Sequence, residues 1–199
     1  MKRTRLHLVR HGEVDGAEEK RYNGQSDVGL TQKGVAQIGL VQMRIKKMPI
    51  AAVYSSDLTR CTDGARLLAS AFELEPVAMP ELREIDAGDW EGMTWDEILK
   101  KHPKLWKQRL NDIVNTPFPG GENLLDVAKR IRPAIQGLVD KHQGEEIVIV
   151  AHGGVNRIIL LDAIGAPLES LFSIEQDFGC LNSIDYYDDG NSVVRLLNG

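Results

Sequence analysis

Apolar and polar positions along the chain follow two periods, and the places where the period changes mark the elements. Leu6-His7-Leu8-Val9 is a short run of β type that stops at Arg10-His11-Gly12, where glycine permits a tight exit. The pattern predicts a strand ending in charged residues. From Thr31, a suitable N-cap, Val35, Ile38, Val41 and Ile45 recur at a spacing that places them on one face of a helix. Residues 50–54 read as a second strand, Asp57 as the cap of a helix through Arg60, Ala65, Leu67 and Leu68, and 76–79 as a third extended segment. The order to this point is β-α-β-α-β.

Between 81 and 121 the periodicity weakens. Thr94 and Glu97 are spaced as a capping box, Pro103 is placed to start a helix, and Thr116-Pro117-Phe118-Pro119-Gly120-Gly121 is rich in turn formers. This reads as an irregular insertion of loops and small helices, suited to a lid or specificity region. A long helix capped by Asn123 follows, with Leu124, Val127, Ile131, Ile135 and Leu138 on one side and Pro133 predicting a kink or break. Ile147-Val148-Ile149-Val150 has the continuous apolar character of a strand buried on both faces, and His152-Gly153-Gly154 ends it before a helix over 158–163. Residues 183–187 and 192–196, joined by Asp188-Asp189-Gly190-Asn191, read as a β-hairpin. The expected fold is α/β, a three-layer α/β/α sandwich with a mostly parallel central sheet.

At 199 residues, the chain favours one domain over 1–199, and its 42% hydrophobic and 27% charged content is that of a globular protein with a sizeable core. Two facts narrow the chemistry. The net charge of −5 disfavours a nucleic-acid partner, whose phosphates call for clustered cations, so any anionic ligand must be met by a local cationic pocket. The two cysteines, Cys61 and Cys180, have neither disulfide-framework nor zinc-site spacing. The basic N-terminus leads into an apolar stretch too short for an export signal, and no run approaches the about 20 residues that span a bilayer. A cytoplasmic location without membrane association is expected.

In parallel α/β sheets, ligands bind beyond the carboxyl ends of the strands. That rule gathers Arg10 and His11, the 57–60 segment with Arg60, the acidic 81–91 loop and His152 on one rim. Two arginines with two histidines suit a tetrahedral dianion, because guanidinium forks donate paired hydrogen bonds and stay charged. The cations should also keep a neighbouring imidazole neutral, and neutral imidazole is a nucleophile able to take a phosphoryl group covalently. An acid must then protonate the departing oxygen, and Glu84 or another carboxyl of the loop is available.

These residues also carry a resemblance. Leu8-Val9-Arg10-His11-Gly12-Glu13, Gly24-Gln25-Ser26-Asp27 with Leu30-Thr31 and Gly34, Ser55-Ser56-Asp57-Leu58-Thr59-Arg60, Leu82-Arg83-Glu84-Ile85 with Gly88-Asp89-Trp90-Glu91-Gly92, Pro119-Gly120-Gly121-Glu122 and Ala151-His152-Gly153-Gly154 resemble, in order, the motifs of the histidine phosphatase, or phosphoglycerate mutase-like, superfamily. The resemblance implies that His11 is the phosphorylated nucleophile, that Arg10, Arg60 and His152 clamp the phosphoryl oxygens, and that Glu84 is proton donor and later activates water. It implies no metal or other cofactor. Asn23 and Gly24 fall where the family's substrate-contacting loop lies, whereas Ala17 stands where many members have an Asn. Either Asn23 replaces that Asn or the contact is missing.

Simpler roles compete at several positions. His7, His102 and His142 read as structural, and Arg10 and Arg60 could each be a surface ion-pair former. Glu84, Asp86, Asp89 and Glu91 could hold magnesium or simply face solvent. Trp90, Trp95 and Trp106 read as packing residues rather than a stacking platform. Gly153-Gly154 could present N–H groups to an anion or permit close passage of strand and helix.

The functional expectation is a metal-independent phosphomonoesterase acting on a small phosphorylated metabolite through a phosphohistidine. The short chain and the motif around Glu84 resemble the phosphatase branch, especially α-ribazole-5′-phosphate phosphatases of cobalamin assembly. The alternatives are a phosphoglycerate mutase, a phosphatase for phosphoserine, a sugar phosphate or 3-phosphoglycerate, or an idle module that binds phosphorylated ligands. Monomer and homodimer both remain open.

Overall fold

The computed structural model describes residues 2–199. Six strands, β1 (Arg3–Arg10), β2 (Ile50–Ser55), β3 (Val77–Ala78), β4 (Glu146–Ala151), β5 (Leu181–Tyr187) and β6 (Ser192–Leu196), form one sheet in the order β3-β2-β4-β1-β5-β6. The first four are mutually parallel, and the hairpin β5-β6 adds antiparallel to β1. The helices are α1 (Gln32–Ile45), α2 (Thr59–Ala69), α3 (Trp95–Lys101), α4 (Pro103–Asn111), α5 (Leu124–Lys141) and α6 (Gly153–Ile164).

Alternation along the strands fixes the layers, because successive side chains point to opposite faces. Leu6, Leu8, Ile147 and Ile149 pack with α5 and α6, while Val9, Val148 and Val150 pack with α1 and α2. The three-layer α/β/α sandwich follows.

Several local expectations need correction. Val35 is 47% exposed, whereas Gly34, Ile38, Val41 and Ile45 are buried. At about 100° per residue, Val35 falls roughly 90° from the centre of the face the other four share. Asp57 does not cap α2: its carboxylate is held by Arg83 at 2.7 and 2.6 Å. Asp27 reaches the helix start instead, accepting from the Thr59 N–H and hydroxyl at 2.7 Å each. Pro133 does not break α5, which runs unbroken from Leu124 to Lys141, and the carbonyl left without its helical donor belongs to Lys129, an exposed residue. Thr94 and Asn123 do form capping boxes, with Glu97 and Asp126.

Candidate active site

Strand register builds the rim. Arg10 lies opposite Ala151 and Ser55 opposite Val150, so β1, β4 and β2 end level and their next residues emerge side by side. The exits are pinned by His11 N–H to Ala151 O and Ser56 N–H to Val150 O, both 3.0 Å. The structure thereby brings His11, His152, Arg10 and Arg60 together, and Glu84 joins them from the loop after β3.

His11 is buried with its Nδ1 at 2.8 Å from the Gly12 carbonyl oxygen. Donation there leaves Nε2 with a free lone pair. Its ring meets that of His152 edge to face at 5.2 Å and lies 5.6 Å from Phe178. Burial, and after it the Arg10 and Arg60 guanidiniums, hold the His11 imidazole well below its usual range; burial followed by Arg60 does the same at His152. The sequence reasoning credited the cations, but desolvation is the larger cause. Arg60 spends all three nitrogens inside the protein, donating to His152 Nδ1 at 3.3 Å and to Ser26 O and Gly24 O at 2.7 Å each. It is therefore a strut for the loop of Asn23 and Gly24 as well as a cation. It is 2% exposed, which removes the surface ion-pair reading.

Arg10 donates from Nη1 to Gln176 O at 2.6 Å and lies 3.9 Å over the Phe178 ring, while its buried Nε lacks a partner among the described residues. Glu84 accepts from the N–H groups of Ile85 and Gly154, 3.0 Å each. The anion at the start of α6 is thus Glu84 itself. A methyl group on Gly154 would lie 2.5 Å from Glu84 Oε1, and one on Gly153 would lie 3.3 Å from both Arg10 Nε and Arg157 Nη1. The glycine pair presents an N–H to an anion, as one reading had it, and also lets charged side chains crowd the helix start.

Two of the other acidic residues, Asp86 and Glu91, turn to separate partners. Asp86 accepts from Gly88 N–H at 2.8 Å, and Glu91 takes Gln25 N–H and the Ser26 hydroxyl at 2.6 and 2.5 Å. His7 is bonded to Ser183 and Glu146 at 3.0 and 2.9 Å, and His142 to Tyr54 and Glu145 at 2.8 and 2.6 Å, which fits their structural reading. His102 packs beside Trp90.

A cavity of about 520 Å³ opens over the rim. Arg10, Asn23, Gly24, Arg60 and Glu84 line it, and Ala17 faces the same space as Asn23. His11 and His152 stand one layer behind this wall, against Phe178 and Arg60. The outer walls are Trp95, Trp106, Leu110, Ile113 and Phe172, so two of the three tryptophans face the cavity and only Trp90 is wholly buried in packing. Sequence reasoning missed Arg157, Phe178 and Arg109, which also line it. Arg157 had a visible signal, since it lies one helical turn after Gly153.

A grouping of paired guanidiniums, two neutral imidazoles and one carboxyl can bind a phosphoryl group, accept it on nitrogen and exchange a proton beside it. Comparison with known proteins points the same way. The profile of the histidine phosphatase superfamily (branch 1) matches residues 6–199. The chain is 36% identical over 196 residues to Bifunctional protein Rv2228c of Mycobacterium tuberculosis, spanning 98% of this chain and 54% of that protein. It therefore covers only about half the length of that relative. It is 29% identical to Phosphoserine phosphatase 1 of Hydrogenobacter thermophilus, with 98% and 92% of the two chains covered. The alpha-ribazole phosphatase from Shigella flexneri superposes with a TM-score of 0.90 at 29% identity, covering 98% of this chain and 96% of that one.

Proposed function

We propose that this chain, which belongs to the histidine phosphatase superfamily and has the phosphoglycerate mutase-like fold, is a metal-independent phosphomonoesterase that works through a phosphohistidine at His11. The reading is carried by the convergence of a buried neutral imidazole, its Nδ1 already turned to Gly12 O, with Arg10, Arg60 and His152. Residues 1–199 act as one catalytic domain in this reading, with 81–121 as the insertion that covers the rim.

In the first half-reaction, His11 Nε2 forms a bond to phosphorus as the ester P–O bond breaks, and Glu84, in its protonated form, delivers its proton to the departing oxygen. Arg10, Arg60 and His152 hold the phosphoryl oxygens. In the second, the Glu84 carboxylate takes a proton from water as that water forms its bond to phosphorus and the P–N bond breaks. Inorganic phosphate leaves and His11 returns to its neutral form. Asn23 and Gly24 contact the substrate from the loop that Arg60 braces.

The substrate is a small phosphorylated metabolite whose remainder occupies the aromatic-walled cavity. The names of two relatives supply α-ribazole 5′-phosphate, which would place the protein in cobalamin assembly, and phosphoserine as candidates; a sugar phosphate and 3-phosphoglycerate are the alternatives kept from the sequence. A panel of these esters assayed in EDTA tests the reading. Rapid release of inorganic phosphate, with acid-labile label on His11 during turnover, is the expected result. An isomerised phosphoglycerate in place of free phosphate assigns a mutase, and phosphate binding without any hydrolysis assigns an idle binding module.

A further inference from the structure

The cavity carries more positive charge than one phosphoryl group requires. Arg10, Arg21, Arg60, Arg109 and Arg157 line it against one carboxylate, Glu84, although the chain as a whole has a net charge of −5. Arg10 and Arg157 flank Gly153, Arg60 braces the phosphate-binding rim, and Arg21 is paired with Glu19. Arg109 is left over. It projects from α4, is 7% exposed, and places its guanidinium carbon 3.6 Å over the Phe118 ring. Nη1 donates to Thr116 O, and among the described residues no carboxylate pairs with it. Burial lowers its pKa, and the neighbour that offsets this is the Tyr22 phenol, itself pushed up by burial and so uncharged near neutrality.

A buried cation without a counter-ion is costly, and an aromatic face offsets only part of that cost. A protein that keeps such a group on the wall of its reaction cavity has a use for it there. We infer that Arg109 is a second anion subsite, holding a carboxylate on the part of the substrate remote from the transferred phosphate. The inference rests on the phosphomonoesterase reading above. With Nη1 committed to Thr116, the Nε–Nη2 edge remains, and it offers two parallel donors matched to a carboxylate. A second phosphate would bring about two charges at neutral pH to one guanidinium. The apolar walls of Trp95, Trp106, Leu110 and Ile113 suit a hydrocarbon or ring body between the two anionic groups. Carboxylate-bearing monoesters are thus ranked ahead of α-ribazole 5′-phosphate, whose remainder carries no anion.

Matched esters test this. 4-Carboxyphenyl phosphate is compared with 4-carbamoylphenyl phosphate, and a biphenyl pair extends the reach. The members of each pair share shape, and their leaving phenols are of similar acidity. In the pair of the right length, the wild-type protein is expected to favour the carboxylate about tenfold or more in kcat/KM, the ratio of a charge-assisted over a neutral contact. Arg109→Met should bring that ratio to about one, and Arg109→Lys should leave an intermediate value. A wild-type ratio near one at both lengths overturns the subsite, and so does a preference that Arg109→Met retains. A general folding defect lowers both esters alike and leaves their ratio intact, and if Arg109→Met does not fold, the wild-type ratios and Arg109→Lys decide. Absence of hydrolysis of every ester, with no label on His11, is the separate failure of the phosphomonoesterase reading and removes the subsite with it.

Discussion

The phosphate end of the cavity and its outer chamber are built by different means. At the phosphate end, side chains are placed by the ends of a parallel sheet: β1 and β4 deliver His11 and His152 in register, and Arg60 is tied at three nitrogens. The chamber is made by α3, α4, the turn-rich 116–121 loop and the short helical turn Leu168–Ser173, where Trp95 remains 46% exposed and Phe172 70% exposed. Rigid elements suit a reaction that needs fixed distances, and exposed aromatic groups on short peripheral elements suit recognition of a variable remainder. Changes at the first end should therefore alter every substrate, and changes at the second should reorder substrates.

The sharpest break in that contrast would come from His11→Ala. It should cost roughly 10⁴-fold or more in kcat on all monoesters alike, as loss of a nucleophile does, and remove acid-labile label from the protein. Glu84→Gln is next. General-acid loss of about 10²–10⁴-fold is expected on alkyl phosphates, with the smallest loss on p-nitrophenyl phosphate, whose leaving group needs no proton. Equal losses on both classes in a leaving-group series would remove Glu84 from that role.

A smaller effect separates the two regions by pH. His7, His11 and His152 have lowered pKa values, His7 chiefly through burial, so the folded chain binds fewer protons than the unfolded one below the ordinary histidine value. Stability is complete above about pH 6.5 and falls as the pH drops through it, by up to about 1.4 kcal/mol per pH unit for each such histidine. Urea midpoints between pH 7.5 and 5 should show this loss, and His11→Ala should make it shallower. Trp95→Ala, in the chamber, should keep the slope and lower the kcat/KM ratio of aromatic to small alkyl esters by about threefold, the smallest of these effects.

What could be read from the sequence divides along the same line. Arg10, His11, Arg60 and His152 were legible because a run of apolar residues ending in a charged or glycine-bounded turn fixes where a strand stops, and the sheet does the rest. Helix α5 was legible because five apolar residues share its buried face. Asp27 capping α2, and Asp57 pairing with Arg83, were not legible, since these partners lie 32 and 26 residues apart and one acidic residue near a helix start looks like another. Arg109 was hidden for a related reason. Its neighbourhood reads as an exposed polar helix, and it is buried by residues beyond that helix, with Phe118 under its guanidinium and Thr116 O accepting from it.

The two glycines that open α6 set the tolerance of the whole reaction centre. Arg10 and Arg157 abut one of them and Glu84 abuts the other, so the margin separating cation, acid and backbone is smaller than a single methyl group. Drift at this dipeptide would uncouple proton delivery from phosphoryl capture without altering any residue that reacts, and selection should watch it as closely as the imidazole beside it.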